Sequence, residues 1–160
     1  TLFPYTTLFR SSFKTGVRTF EAASFLRRLG ADTVEIKKIF SNNLENYIAK
    51  AEIIKSAKVE NKIAIAVCPE NITDTVVAAQ AADELLNITG IQASFVLIKL
   101  GEDVAISARS LGDINVQVIL EELGGGGHMT MAGAKIKDAT IDEAIEKIKE
   151  AIAKNSREGE

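Results

Sequence analysis

Only one cysteine, Cys68, and one histidine, His128, occur among the 160 residues. A single cysteine excludes a disulfide-stapled scaffold. A single histidine means that a metal site built from this chain alone would rest mostly on carboxylates. No apolar run approaches the ~20 residues of a membrane-spanning helix. An excess of one charge is lacking too. The formal net charge is −3, divided as +4 over residues 1–60 and −7 over residues 61–160. This excludes the strongly basic footprint of a dedicated duplex-DNA binder. An anionic ligand must therefore be held by a few local donors. The start of the chain lacks the charged segment, apolar core and small-residue cleavage site of a secretory signal, so a cytoplasmic domain is expected.

Hydrophobic residues make up 46% and charged residues 26%, which excludes intrinsic disorder. The length suits one domain, or one domain with a fragment of another. Such a chain buries about two-thirds of its unfolded surface.

Residues 1–12, TLFPYTTLFRSS, have no clear period and contain Pro4. They read as a non-native or irregular segment and are set aside. A helix is expected next, with Thr19 as its cap, a stripe of Phe20, Ala23, Phe25, Leu26 and Leu29, and Gly30 just past its end. Asp32 to Phe40 reads as a connection with strand character at Val34 and Ile36. A second helix is expected from Asn42, with Glu45 in its cap and Leu44, Tyr47, Ile48, Ala51 and Ile53 or Ile54 buried. Lys58 to Cys68 reads as a hairpin step, through Asn61-Lys62, into the central strand IAIAVC. Pro69 ends that strand, and an alanine-rich helix follows from Thr73 to Leu86. Ala93–Leu100 and Val104–Ala108 form an expected antiparallel hairpin. Asn115–Leu123 has helical spacing, His128–Ala132 reads as a short helical turn, and Ala134–Lys137 as a last strand. Thr140 and Glu143 form a capping box for a final helix lined by Ile141, Ala144, Ile145, Ile148 and Ile152. A polar, frayed tail is expected beyond Ala153. The fold class is α/β, a mixed central sheet flanked by helices.

The segment LGGGGHMTMAGAK, Leu123 to Lys135, carries the strongest local signal. Glycine costs roughly 0.5–1 kcal/mol against alanine in regular structure, so four in a row need a reason. Gly124, Gly125, Gly126 and Gly127 offer exposed main-chain N–H groups able to wrap an oxyanion. A helical turn opening at His128 would add a positive end. The alternative is a flexible loop with a helix cap. A P-loop is excluded because no Lys-Ser or Lys-Thr follows at the required spacing, and the G-x-G-x-x-G fingerprint is absent. His128 is placed to donate to a phosphate or stack on a base; its alternative is a structural cap.

The segment ISARSLGDIN, Ile106 to Asn115, is the second signal. On a period of two, Ser107 and Arg109 share one face. Arginine suits bidentate phosphate binding, the alternative being a solvated hairpin face. Cys68 reads as a small hydrophobe without a basic partner nearby.

These residues resemble a known family. ISARSLGDINVQVILEELGGGGHMTMAGA is similar to the DHH-associated C-terminal domain of the Asp-His-His phosphoesterase superfamily. KTGVRTFEAASFLRRLGAD resembles the end of the preceding catalytic domain, and QAADELLNITGIQASFV also fits. Together they look like the C-terminal part of a bacterial membrane-anchored cyclic di-AMP phosphodiesterase. The resemblance implies that residues 13–57 are a remnant of the DHH catalytic domain with a connecting helix, 58–154 the substrate-binding domain, and 155–160 a disordered tail. It implies two-metal phosphodiester hydrolysis with manganese in the parent enzyme. The metals would sit on a DHH domain that this chain lacks, so no catalytic residue or metal ligand is expected here. Ser107, Arg109, Ser110, Asn115, Gly124 to Gly127 and His128 would bind phosphate and nucleotide. The implied partners are a cyclic or linear dinucleotide, the missing DHH catalytic domain and a second copy in a homodimer. An oligonucleotide or short RNA is the alternative ligand.

Overall fold

A computed structural model describes residues 16–39 and 43–157. The expectations for residues 1–12, for a cap at Asn42 and for residues 158–160 lie outside these. The chain divides into two units, Thr1–Asn43 and Leu44–Glu160. In the first, helix α1 (Val17–Arg28) starts two residues before the expected cap, with Gly16 at its N-cap, and Gly30 takes φ +94° just past its end. The stretch expected to have strand character is instead helix α2 (Thr33–Ile39). Asp32 Oδ1 accepts from the Val34 N–H at 2.7 Å, and Lys38 pairs with Glu35 one turn back. Those local bonds outweigh the β-branched Val34 and Ile36. Neither helix has a buried residue.

The second unit begins with α3 (Leu44–Lys55) and then builds a six-stranded sheet. Its strands are β1 (Lys58–Glu60), β2 (Ile63–Val67), β3 (Ala93–Leu100), β4 (Asp103–Ser110), β5 (Gly126–His128) and β6 (Met131–Ile136). The order across the sheet is β1-β2-β3-β4-β6-β5. Only β2 and β3 run parallel, joined through α4 (Thr75–Leu85); every other pairing is antiparallel. The remaining helices are α5 (Val116–Glu121) and α6 (Ile141–Arg157). The Asn61-Lys62 turn has φ +48° and +66°, the left-handed pair of a two-residue hairpin. Asp74 caps α4, and the expected Thr140–Glu143 box caps α6. Helix α6 runs to Arg157, a turn beyond the fraying expected after Ala153. Asn155 Nδ2 donates to Glu122 there at 2.8 Å.

Two cores lie on opposite faces of the sheet. Phe95, Leu97, Val104, Ile106 and Ala108 meet α5 and α6 through Val116, Leu120, Ala144 and Ile148. Ala64, Ala66, Val96 and Ile98 meet α3 and α4 through Ile53, Ala78, Ala81, Ala82 and Leu85. Small alanines on α4 let the helix approach closely, as its sequence implied. Helix α3 docks through Ala49, Lys50, Ile53 and Ile54, leaving the expected face of Leu44, Tyr47 and Ile48 exposed.

Strand spacing of about 4.8 Å makes six strands wider than two helices at about 10 Å each can cover. Each face therefore keeps a less covered strand pair, at opposite edges. On the α3/α4 side the bare pair is β6–β5, where Met131, Gly133 and Lys135 alternate with buried Ala132, Ala134 and Ile136. On the α5/α6 side the less covered pair is β1–β2, where buried Ile63, half-buried Ile65 and exposed Lys58 line a cleft of about 630 Å³ beside Ile145 and Lys149 of α6.

Candidate functional site on the bare face of the β6–β5 edge

Strand register brings the two sequence signals together. Arg109 pairs with Met131, and Met131 with His128. Ser107 pairs with Gly133, and Gly133 with Gly126. Directly paired residues share a face. Ser107, Arg109, Gly126 and His128 therefore stand in two adjacent rows on one side of the sheet. Strand spacing puts His128 about 10 Å from Arg109. Gly126 has no atom within 4 Å of where a Cβ would sit, so the surface above it is open.

Arg109 marks the boundary of this surface. Its side chain is only 12% exposed, beneath the edge of α4. Nε donates to Asp83 Oδ1 at 2.9 Å, and Nη1 donates to the Ala108 carbonyl at 2.9 Å. Lys135 adds a second cation to the bare face, its Nζ 2.8 Å from Asp103 Oδ2. The Lys135 ammonium and the Asp138 N–H hold the Asp103 carboxyl below its ordinary range.

The remaining expected ligands divide by cause. Ser110 follows Arg109 by one residue, so the same alternation turns it to the other face. It is buried, and its Oγ accepts from the Gly112 N–H at 2.9 Å. Asn115 caps α5, its Oδ1 accepting from Gln117 N–H at 3.1 Å and Val118 N–H at 3.4 Å. Neither side chain is presented with Arg109.

His128 does not open a helical turn. It ends β5, and Met129-Thr130 is the two-residue turn of an antiparallel hairpin with β6. Turn and register win because the Ser110 N–H donates to the Thr130 carbonyl and the Val116 N–H to the Met129 carbonyl, tying the turn to β4 and α5. The positive helix end expected at His128 is therefore absent. The glycines are a built part, not a loose loop. Gly124, at φ +75°, and Gly125 return their N–H groups to Glu121 and Leu120 and close α5. A Cβ at Gly125 would sit 2.3 Å from the Gly133 carbonyl oxygen, and one at Gly127 2.4 Å from that of Met131. The residues flanking a two-residue turn form a hydrogen-bonded pair, so Gly127 occupies the alternate position and turns its N–H to the open edge. One edge N–H, from Gly127, thus remains of the expected cradle.

Asp83 escaped the sequence reading. Met131 belonged to the glycine motif, and only the hairpin register reveals its place. No local signal says that an acid on an alanine-rich helix will meet an arginine 26 residues on. Cys68 is buried at the end of β2, and burial pushes its thiol up to about 12, so it is an inert hydrophobe. Among the described residues no three His, Cys, Asp or Glu side chains gather into a set able to hold a metal ion. No helix among the described residues is long and apolar enough to cross a membrane.

The DHHA1 domain family matches residues 60–154. The chain is 51% identical over 144 residues to the cyclic-di-AMP phosphodiesterase GdpP of Geobacillus thermodenitrificans, covering 88% of this chain and 22% of that protein. It is 46% identical over 146 residues to the GdpP of Bacillus subtilis, with the same coverages. The chain thus spans about a fifth of the length of these relatives. An exopolyphosphatase-related protein from Bacteroides fragilis superposes with a TM-score of 0.76 at 20% identity, covering 88% of this chain and 44% of that one. That last likeness concerns the fold, and it agrees with the mixed α/β sheet expected from the sequence. From residue 60 to 154, through the sheet and both signals, this chain belongs to the DHHA1 domain family.

Proposed function

We propose that this chain is the nucleotide-recognition lobe of a cyclic di-AMP phosphodiesterase. Arg109 takes a phosphate. His128 and the open surface over Gly126 receive the rest of the nucleotide. Ser107 and the Gly127 N–H add neutral donors. The observation that carries this reading is the pair of rows Arg109–Met131–His128 and Ser107–Gly133–Gly126 on one bare sheet face. The identity to the two GdpP proteins supports the substrate class. Hydrolysis and the manganese it needs belong, on this reading, to a separate DHH domain of a membrane-anchored parent. No step of the chemistry is assigned to the described residues.

Calorimetric titration of the chain with cyclic di-AMP and with its linear product pApA tests the reading. Arg109→Ala is expected to weaken binding at least about tenfold, the loss of a charge-assisted bidentate contact. Gly126→Val is expected to fold normally, because the space is open, and to block the ligand. Wild-type affinity in both variants overturns the site. Tighter binding of a longer RNA, with a steep salt dependence, overturns the dinucleotide as the ligand.

A further inference from the structure

We infer that Asp83 is a positioning residue for this site, holding the Arg109 fork in the orientation that receives the ligand's phosphate. The inference rests on the proposed nucleotide site and adds to it a residue on α4. Arg109 sits at the edge of that helix, and its guanidinium has two anchors. Nε donates to Asp83 Oδ1 at 2.9 Å and Nη1 donates to the Ala108 carbonyl oxygen at 2.9 Å. These bonds point in different directions from one plane, so together they fix rotation about the end of the side chain. The other N–H groups, on both Nη atoms, have no acceptor among the described residues. Paired N–H groups on the two Nη atoms of a guanidinium can grip two phosphate oxygens.

Exposure separates positioning from plain stabilisation. Arg109 is 12% exposed, whereas Asp83 is 58% exposed. A carboxylate so open to water adds little to folding by pairing alone. Its effect falls on the arginine, whose rotamers are restricted before the ligand arrives. Less ordering then remains to be done on binding. Asp83 keeps its bond to Nε while the Nη edge is occupied, so the ligand need not displace it.

A double-mutant cycle on the chain, read by calorimetric titration with pApA and by thermal melting, tests this. Asp83→Ala is expected to weaken binding about three- to tenfold with little change in melting temperature. In an Arg109→Ala background the same substitution is expected to change nothing. Asp83→Asn keeps an oxygen acceptor for Nε and is expected to stay within about twofold of wild type. Unchanged or tighter binding by Asp83→Ala overturns the inference, the latter showing that the carboxylate only competes with the ligand. An equal loss in the Arg109→Ala background also overturns it, by showing a general structural effect. If Arg109→Ala binds as wild type, or the unsubstituted chain shows no saturable binding, the site reading itself fails and the positioning role with it.

Discussion

At Gly125 and Gly126 two adjacent glycines have opposite reasons to be glycine. A methyl at Gly125 meets the Gly133 carbonyl oxygen at 2.3 Å and the Ala134 Cβ at 2.6 Å, both on the paired strand. A methyl at Gly126 meets nothing within 4 Å and lies on the bare face. Gly125→Ala is therefore expected to cost about 1–3 kcal/mol, the range for forced overpacking, and Gly126→Ala well under 1 kcal/mol. Chemical denaturation of the two variants measures both; equal losses would show that the hairpin does not approach as described. The sequence revealed that glycine was required here but not why, because close approach between strands is a property of pairing. Alternation along β4 made the shared face of Ser107 and Arg109 readable. The same alternation places Ser110 on the opposite face, a consequence that the resemblance obscured. Asp83 was not readable at all, since its meeting with Arg109 depends on how α4 lies across the sheet.

At the scale of elements, caps and turns were the most legible features, and the misread segments were those decided by partners. Thr140 and Glu143 announce α6, and the structure closes both bonds of the box, with the Thr140 N–H donating to Glu143 Oε2 at 2.7 Å and the Glu143 N–H to Thr140 Oγ1 at 3.2 Å. His128–Ala132 was misread because five residues hold too little periodic signal, and pairing of β5 with β6 settled their form. The caps also set a pH dependence. The Thr140 N–H, then its hydroxyl, hold the Glu143 carboxyl below its ordinary range, as the Lys135 ammonium and Asp138 N–H do for Asp103. A folded value below the unfolded one means the unfolded chain takes protons first as pH falls. Both groups thus contribute stability that is present above the ordinary carboxylate range and lost as pH falls from that range through their lower folded values. Melting temperature is expected to fall progressively as pH drops below about 5. The fall should be smaller in Glu143→Gln, which lacks that titrating group; an identical fall would show that the box carries no part of it.

At the scale of the molecule, both cores belong to the second unit, and so does the candidate site. Among the described residues, the clusters around Phe95 and around Ile53 draw on that unit. Arg109, Asp83, Ser107, Gly126 and His128 all lie between α4 and β6. Helices α1 and α2 have no buried residue and expose Phe25, Leu26, Val34 and Ile39. Their apolar stripes were readable as helix faces, but a sequence stripe says only that a face is apolar, not that this chain covers it. Helix α3 packs on α4 and β2 and so groups with the second unit, while the family match begins beyond it at residue 60. Limited trypsin digestion should therefore cut first at Arg27, Arg28, Lys37 or Lys38 and leave a resistant fragment that starts near residue 39. A chain expressed from Leu44 should melt within a few degrees of the full chain, because it retains every described residue of both core clusters. It should also bind pApA with unchanged affinity, because every residue assigned to the ligand remains. Melting lowered by more than about ten degrees would show that the first unit supports the sheet. Lost affinity at unchanged melting would show that the first unit completes the site.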